Sequence, residues 1–179
     1  MAVLMFFFTA ILALSFSAEA NQGGKLLTLN LKGTGVAYIA EIPEIDGSGT
    51  TEGTCFDVNL YNLDNGFQIG TATDCLSDIV DNVGDGDSIK LVGTTIFNFT
   101  GGGQFVTRGN TTVRQMLHGQ SNFTHITGAE PSGDNDILSG TKQFKNAEGS
   151  ARLSGLVNLS ELESDGKITF DCLFVIKLD

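Results

Sequence analysis

Lysine and arginine are scarce in this chain: together they number 10, against 21 aspartate and glutamate residues, for a formal net charge of −11. Nucleic acid and anionic membrane surfaces both demand a basic footprint, so neither is an expected partner. Histidine is scarcer still, with only His118 and His125, and the three cysteines Cys55, Cys75 and Cys172 show no CxxC spacing. A zinc site needs three or four such ligands at short regular intervals, so no metal is expected. No GxSxG elbow occurs, and Ser154 and Ser160 have no His–Asp pair in their sequence context. No window carries a sustained helical apolar stripe, which removes the strand–glycine loop–helix units that cradle phosphates. Hydrolase, metal-dependent and nucleotide-dependent chemistries are thereby excluded, and no cofactor is expected.

What the chain does contain is β-forming material: 23 glycines, 13 phenylalanines and many β-branched residues. Alternating segments run over Lys25–Lys32, Val36–Ile42, Thr54–Asn62, Phe67–Cys75, Ser88–Phe99, Gln104–Gln115, Asn122–Gly128, Ile137–Gly140, Gly149–Leu159 and Lys167–Leu178. Turn signals separate them, and the acidic "SDIVDNVGDGD" reads as a solvated loop whose spacing fits no EF-hand. About eight or nine short antiparallel strands imply a sandwich or an up-and-down barrel, and the short connections favour the barrel. The expectation is an all-β, single antiparallel barrel with little helix.

The first twenty residues, "MAVLMFFFTAILALSFSAEA", stand apart. Their apolar run ends in Ala18-Glu19-Ala20, the small-x-small pattern of a signal-peptidase site, and is short for a membrane span. Residues 1–20 are therefore expected to be a cleaved signal peptide and residues 21–179 one secreted domain with no membrane attachment. Four sequons, at Asn98, Asn110, Asn122 and Asn158, mark candidate glycosylation sites in a eukaryotic secretory pathway.

An exported chain with three cysteines can close one intrachain disulfide. If Asp64-Asn65-Gly66 is a three-residue hairpin loop with Gly66 left-handed, Leu63 faces Phe67. The register then pairs Tyr61 with Ile69, Asn59 with Thr71, Asp57 with Thr73 and Cys55 with Cys75. Opposed residues of an antiparallel pair lie close enough for a disulfide. Cys55–Cys75 is expected, with Cys172 a buried free thiol among Phe170, Phe174 and Ile176; the alternative keeps all three reduced in the core.

Three segments resemble the allene oxide cyclase and dirigent family: "CFDVNLYNLDNGFQIGTATDC", "GTTIFNFTGGGQFVTRG", and "ITGAEPSGDNDILSGTKQFKNAEGSARLSGLV" followed by "ITFDCLFVI". They cover most of Thr54–Leu178, although this chain inserts "AEPSGDNDILS" between two glycine turns and has Gly140-Thr141-Lys142 where the family has Gly-Thr-Gly. The resemblance implies an eight-stranded antiparallel barrel of calycin type whose mouth holds a small hydrophobic substrate, without metal or nucleotide. It implies cyclisation or steered coupling, and closest in character are secreted fungal hetero-Diels–Alderases that join an o-quinone methide from a hydroxylated tropolone to humulene. Such barrels often pair or trimerise, so a homo-oligomer is allowed, while no pattern fixes an interface. A non-catalytic extracellular barrel binding a small hydrophobic ligand is the alternative, and a wall or matrix protein with a filled barrel is a third.

A barrel of that kind needs an apolar cavity to hold reacting π-systems in attack geometry and one or two fixed donors to polarise a carbonyl. Phe97, Phe105 and Phe174 are candidates for the first role, with Arg152 as a further ligand contact. Arg108, Tyr61 and His125 are candidates for the second. Parity sets limits on them. Gln104, Val106, Arg108, Asn110, Thr112 and Arg114 share one face of their strand, and the Asn110 sequon turns that face outward if it is occupied. Tyr61 reads first as core packing, and His125 as either a hydrogen-bonded structural residue or a pocket donor.

Overall fold

The computed structural model describes residues 24–44, 48–80, 88–115, 123–130 and 136–179. Residues 1–20, expected to be a signal peptide, lie outside the described residues, as do His118 and the sequon asparagine Asn122. Ten strands form one antiparallel sheet: β1 Lys25–Val36, β2 Tyr38–Pro43, β3 Thr50–Asn62, β4 Gln68–Val80, β5 Ser88–Phe99, β6 Gln104–Gln115, β7 Phe123–Glu130, β8 Ile137–Gly140, β9 Gly149–Asn158 and β10 Lys167–Leu178. A single helical turn, α1 at Leu162–Asp165, precedes β10. None of the described helices is long and apolar enough to cross a membrane.

The sheet closes on itself. Its order is β1-β10-β9-β7-β6-β5-β4-β3-β2, and β1 pairs with β10 along one edge and with β3 along the other. The period-two pattern explains which face turns inward. On β10 the alternate residues Ile168, Phe170, Cys172, Phe174 and Ile176 are buried, and on β3 so are Phe56, Val58 and Leu60. All eight belong to one core cluster inside the ring.

Two turns behave as their glycines predict. Gly66 adopts φ +72°, and the amide of Asn62 donates to the Phe67 carbonyl across the β3–β4 turn. Gly102 and Gly103, at φ +79° and +110°, bend the chain between β5 and β6. Only glycine reaches such values without steric cost.

Several boundaries differ from the sequence expectation. Strand β3 begins at Thr50, and β4 runs on through Ser77–Val80, part of the segment read as an acidic loop. Its final residues continue the sheet because Ser77 and Val80 still find partners on β5 across a bulge. The expected Tyr61–Ile69 pair is replaced by Tyr61–Gln68, because the register shifts between Leu60 and Tyr61. Below that bulge, Asn59–Thr71, Asp57–Thr73 and Cys55–Cys75 pair as counted.

The Cys55–Cys75 disulfide is formed, and Cys172 is a buried free thiol. The disulfide lies on the face opposite Phe56, where Ile42 and Ala40 from β2 cover it in a second small apolar cluster.

Candidate functional site

The ring interior divides into a filled end and an open one. At the filled end Phe97 and Phe105 stack at 4.7 Å, Phe174 meets Phe97 edge-on at 5.2 Å, and Phe144 packs on Phe105 at 5.0 Å. These rings make a plug across the ring. At the other end remains a cavity of about 160 Å³, walled by Leu76, Leu91, Ile126, Leu153, Ile168 and Phe170 among others. It reaches the surface near Ile79, a lining residue that is 57% exposed.

A belt of polar side chains crosses this apolar chamber. The register places Asp74 on β4 opposite Thr95 on β5, and Thr95 opposite Thr107 on β6. All three are buried and all three border the cavity. Thr95 Oγ1 donates to Asp74 Oδ1 at 2.6 Å. Burial pushes the Asp74 carboxyl up from 3.8 to about 6, with the Thr95 bond opposing the rise. A carboxyl in hydrocarbon surroundings is costly to ionise, so near pH 6 Asp74 is half neutral and able to donate.

Asp136, the residue before β8, continues the belt. Its carbonyl accepts from the Arg108 amide at 3.1 Å and its own amide donates to the Gly149 carbonyl at 2.8 Å, which fixes the backbone between β6 and β9. Its Oδ2 accepts from the Ala151 amide at 2.9 Å. Its Oδ1 is buried without a hydrogen-bond partner among the described residues. Across the ring, burial pushes the Cys172 thiol far up and nearby Asp74 adds to the effect, which keeps that sulfur a thiol donating to the Leu156 carbonyl.

The residues singled out from the sequence fall in different places. Phe174 borders the cavity, whereas Phe97 and Phe105 belong to the plug. Arg152 is exposed between Ala151 and Leu153, which line the cavity, so its side chain is on the outer face. His125 alternates with the lining residue Ile126 and is partly buried opposite Arg114 and Leu156. Tyr61 shares the outer parity of Cys55 on β3. Asn110 is exposed, while Asn98 and Asn158 are partly buried, the latter accepting from the Ser160 amide.

Arg108 borders the cavity at strand level, but its guanidinium lies across the sheet from it. Thr107 and Gly109 on either side face the lumen, and Arg108 instead donates to Thr94 Oγ1 at 2.5 Å and Ser77 Oγ at 3.2 Å on the outer face. Its side chain is only 1% exposed. The bulge in β4 holds Asp78 at φ +50°, with its carboxylate 3.3 Å from the guanidinium, and Glu44 stands 4.0 Å away. The arginine is thus a buried outer clasp joining β4, β5 and β6. Arg108→Met should lower the unfolding free energy by about 1–3 kcal/mol, since Thr94 and Ser77 would lose their buried donor. Urea titration measures that loss, and calorimetry with toluene should find cavity binding unchanged. Weakened toluene binding at full stability would instead place the guanidinium in the site.

Sequence reasoning missed Asp74 and Asp136. For Asp74 a signal existed: the hairpin register that pairs Cys55 with Cys75 also pairs Phe56 with Asp74, on the apolar face. For Asp136 no local signal exists, since it precedes a strand of only four residues. Among the described residues no three His, Cys, Asp or Glu side chains gather as a metal-ligand set. No protein-family model, curated protein or solved structure matches this chain.

Proposed function

We propose that this chain is a cofactor-independent cyclase barrel of the allene oxide cyclase and dirigent kind, which seats a small hydrophobic substrate and steers a pericyclic closure. The reaction class that the motif resemblance favours is a (hetero-)Diels–Alder cycloaddition of an o-quinone methide with a terpene polyene. The observation that carries this reading is the apolar cavity with Asp74 set into its wall.

Counting the ring supports the architecture. β1 and β2 both lie along β3, with only Ala37 between them, and β7 and β8 both lie along β6. Taking each pair as one interrupted strand gives eight positions, the number at which a barrel interior is just wide enough for side chains or one small ligand. The disulfide fits folding in an oxidising compartment, in keeping with export.

The chemistry needs little more. A cycloaddition redistributes π electrons into two new σ bonds and consumes no oxidant or reductant. The chamber contributes by holding its reactant in one pose, and orientation of this kind lowers barriers by several kcal/mol. A neutral Asp74 donating to the quinone-methide oxygen would stabilise the negative charge that gathers there. The cavity matches in size an engineered apolar cavity of about 150 Å³ that admits benzene. It therefore seats one ring, the quinone-methide partner, with the polyene meeting it on the Ile79 side.

The test is incubation of the purified protein with an o-quinone methide precursor and humulene, followed by chiral product analysis. Faster formation of one stereoisomer is expected. A product mixture equal in rate and stereochemistry to the uncatalysed one would sink the cyclase reading and leave a non-catalytic binding barrel.

A further inference from the structure

Resting on the reading of the cavity as a ligand site, we propose that Asp136 is its specificity-determining residue, and that the ligand carries a hydroxyl group which enters first and donates to Asp136 Oδ1. The oxygen belongs to a residue that is 4% exposed and borders the cavity, and it has no hydrogen-bond partner among the described residues. Buried polar atoms in folded proteins are nearly all bonded, so an unpaired carboxylate oxygen in an otherwise apolar chamber calls for a donor beyond the described residues, which a ligand in the cavity can bring. The carboxyl cannot turn away to find one. Its Oδ2 is held by the Ala151 amide at 2.9 Å, and its backbone is tied on both sides, to Arg108 and to Gly149.

The surroundings restrict what can bring that donor. The walls are aliphatic and aromatic, so the rest of the ligand is hydrocarbon. An ammonium group would have to shed its hydration in a chamber of this kind, at a far higher cost than a hydroxyl. The volume of about 160 Å³ admits a single ring with short substituents. A single ring bearing a free hydroxyl, as on a hydroxylated quinone methide or a simple phenol, therefore fits the site: ring against Ile126, Leu153 and Phe170, hydroxyl inward to the belt. Binding in this sense also orients the ligand, since only one end satisfies Oδ1.

Calorimetry at neutral pH with p-cresol, toluene and 4-methylanisole separates the possibilities. These three share ring and methyl group and differ in whether they offer a donor, nothing, or only an acceptor. p-Cresol should bind at least about tenfold more tightly than either of the others. In Asp136→Asn, the amide oxygen would keep the Ala151 bond and turn its NH₂ group to the cavity. The preference should then shift toward 4-methylanisole. The wild-type comparison stands even if this variant fails to fold. Equal affinities for the three compounds in the wild-type chain would overturn the assignment to Asp136 while leaving the cavity a binding site. An unchanged preference for p-cresol in a folded Asp136→Asn would do the same. Failure of all three to bind would overturn both this inference and the ligand-site reading.

Discussion

Phe97→Ala is expected to lower the unfolding free energy by about 3–5 kcal/mol, the largest loss from any single substitution considered for this chain. Phe97 is 0% exposed and sits at the centre of the plug, stacked on Phe105 and met edge-on by Phe174. Truncation forfeits the transfer free energy of the ring, and it removes two aromatic pairs worth about 0.5–1.5 kcal/mol each beyond area burial. The neighbours cannot collapse into the gap. Each is anchored on a different strand of a closed ring, and closing the void would mean shortening inter-strand hydrogen bonds all round. The void should instead join the existing cavity and deepen it. Urea unfolding measures the loss; Phe67→Ala, at a position 71% exposed in the β3–β4 turn, serves as the control and should cost within about 0.5 kcal/mol. A loss below about 1 kcal/mol for Phe97→Ala would mean that the aromatic rings are not packed as a plug.

Asp74→Asn should have the opposite sign at neutral pH. The folded-state carboxyl titrates at about 6, against 3.8 in the unfolded chain. Between those values the folded chain holds the extra proton, so this site's contribution to stability is highest below pH 3.8 and is lost as pH rises through 6. Each pKa unit corresponds to 1.36 kcal/mol, which puts the whole decline at about 3 kcal/mol. Asparagine has the same shape, still accepts from Thr95, and never ionises. The variant should therefore match the wild type at pH 3.5, lose nothing to this site between pH 4 and pH 6, and be more stable by up to about 3 kcal/mol at pH 7.5. The Cys172 thiol stays neutral throughout that window and adds no slope of its own. Urea midpoints across pH 3.5–7.5 decide the matter. Parallel curves for the two proteins would show that the Asp74 carboxyl is not desolvated as its burial implies. The same titration has a functional counterpart: if neutral Asp74 polarises the substrate, cyclisation should slow as pH rises through about 6, and the slope should vanish in Asp74→Asn.

Alternation and turn chemistry are local, and what depends on them alone was legible in the sequence. The β5–β6 and β3–β4 hairpins follow from Gly102, Gly103 and Gly66, since only a residue without a Cβ turns so tightly at little cost. Counting back along one hairpin pairs Cys55 with Cys75, and the disulfide forms as counted because the bulge between Leu60 and Tyr61 offsets the different pairing beside the turn. The inward set of β10 is plain in "ITFDCLFVI", where every second residue is apolar.

Tertiary structure decided the rest of the site. Consecutive hairpins align Asp74, Thr95 and Thr107, but no local pattern brings Asp136 to β6 and β9 or says that the closed ring makes a chamber around them. Arg108 illustrates the same limit from the other direction. Parity ties its direction to that of the Asn110 sequon without fixing it, and on the outer face, where it lies, a charged side chain would ordinarily be solvated. It is buried because a bulge in β4 turns Asp78 toward it, because Thr94 faces it across the β5–β6 hairpin, and because Glu44 and Ser77 arrive from more distant parts of the chain. Parity depends on the pleat of one strand and is readable residue by residue. Burial depends on what the rest of the chain lays over that strand, and only the closed sheet determines it.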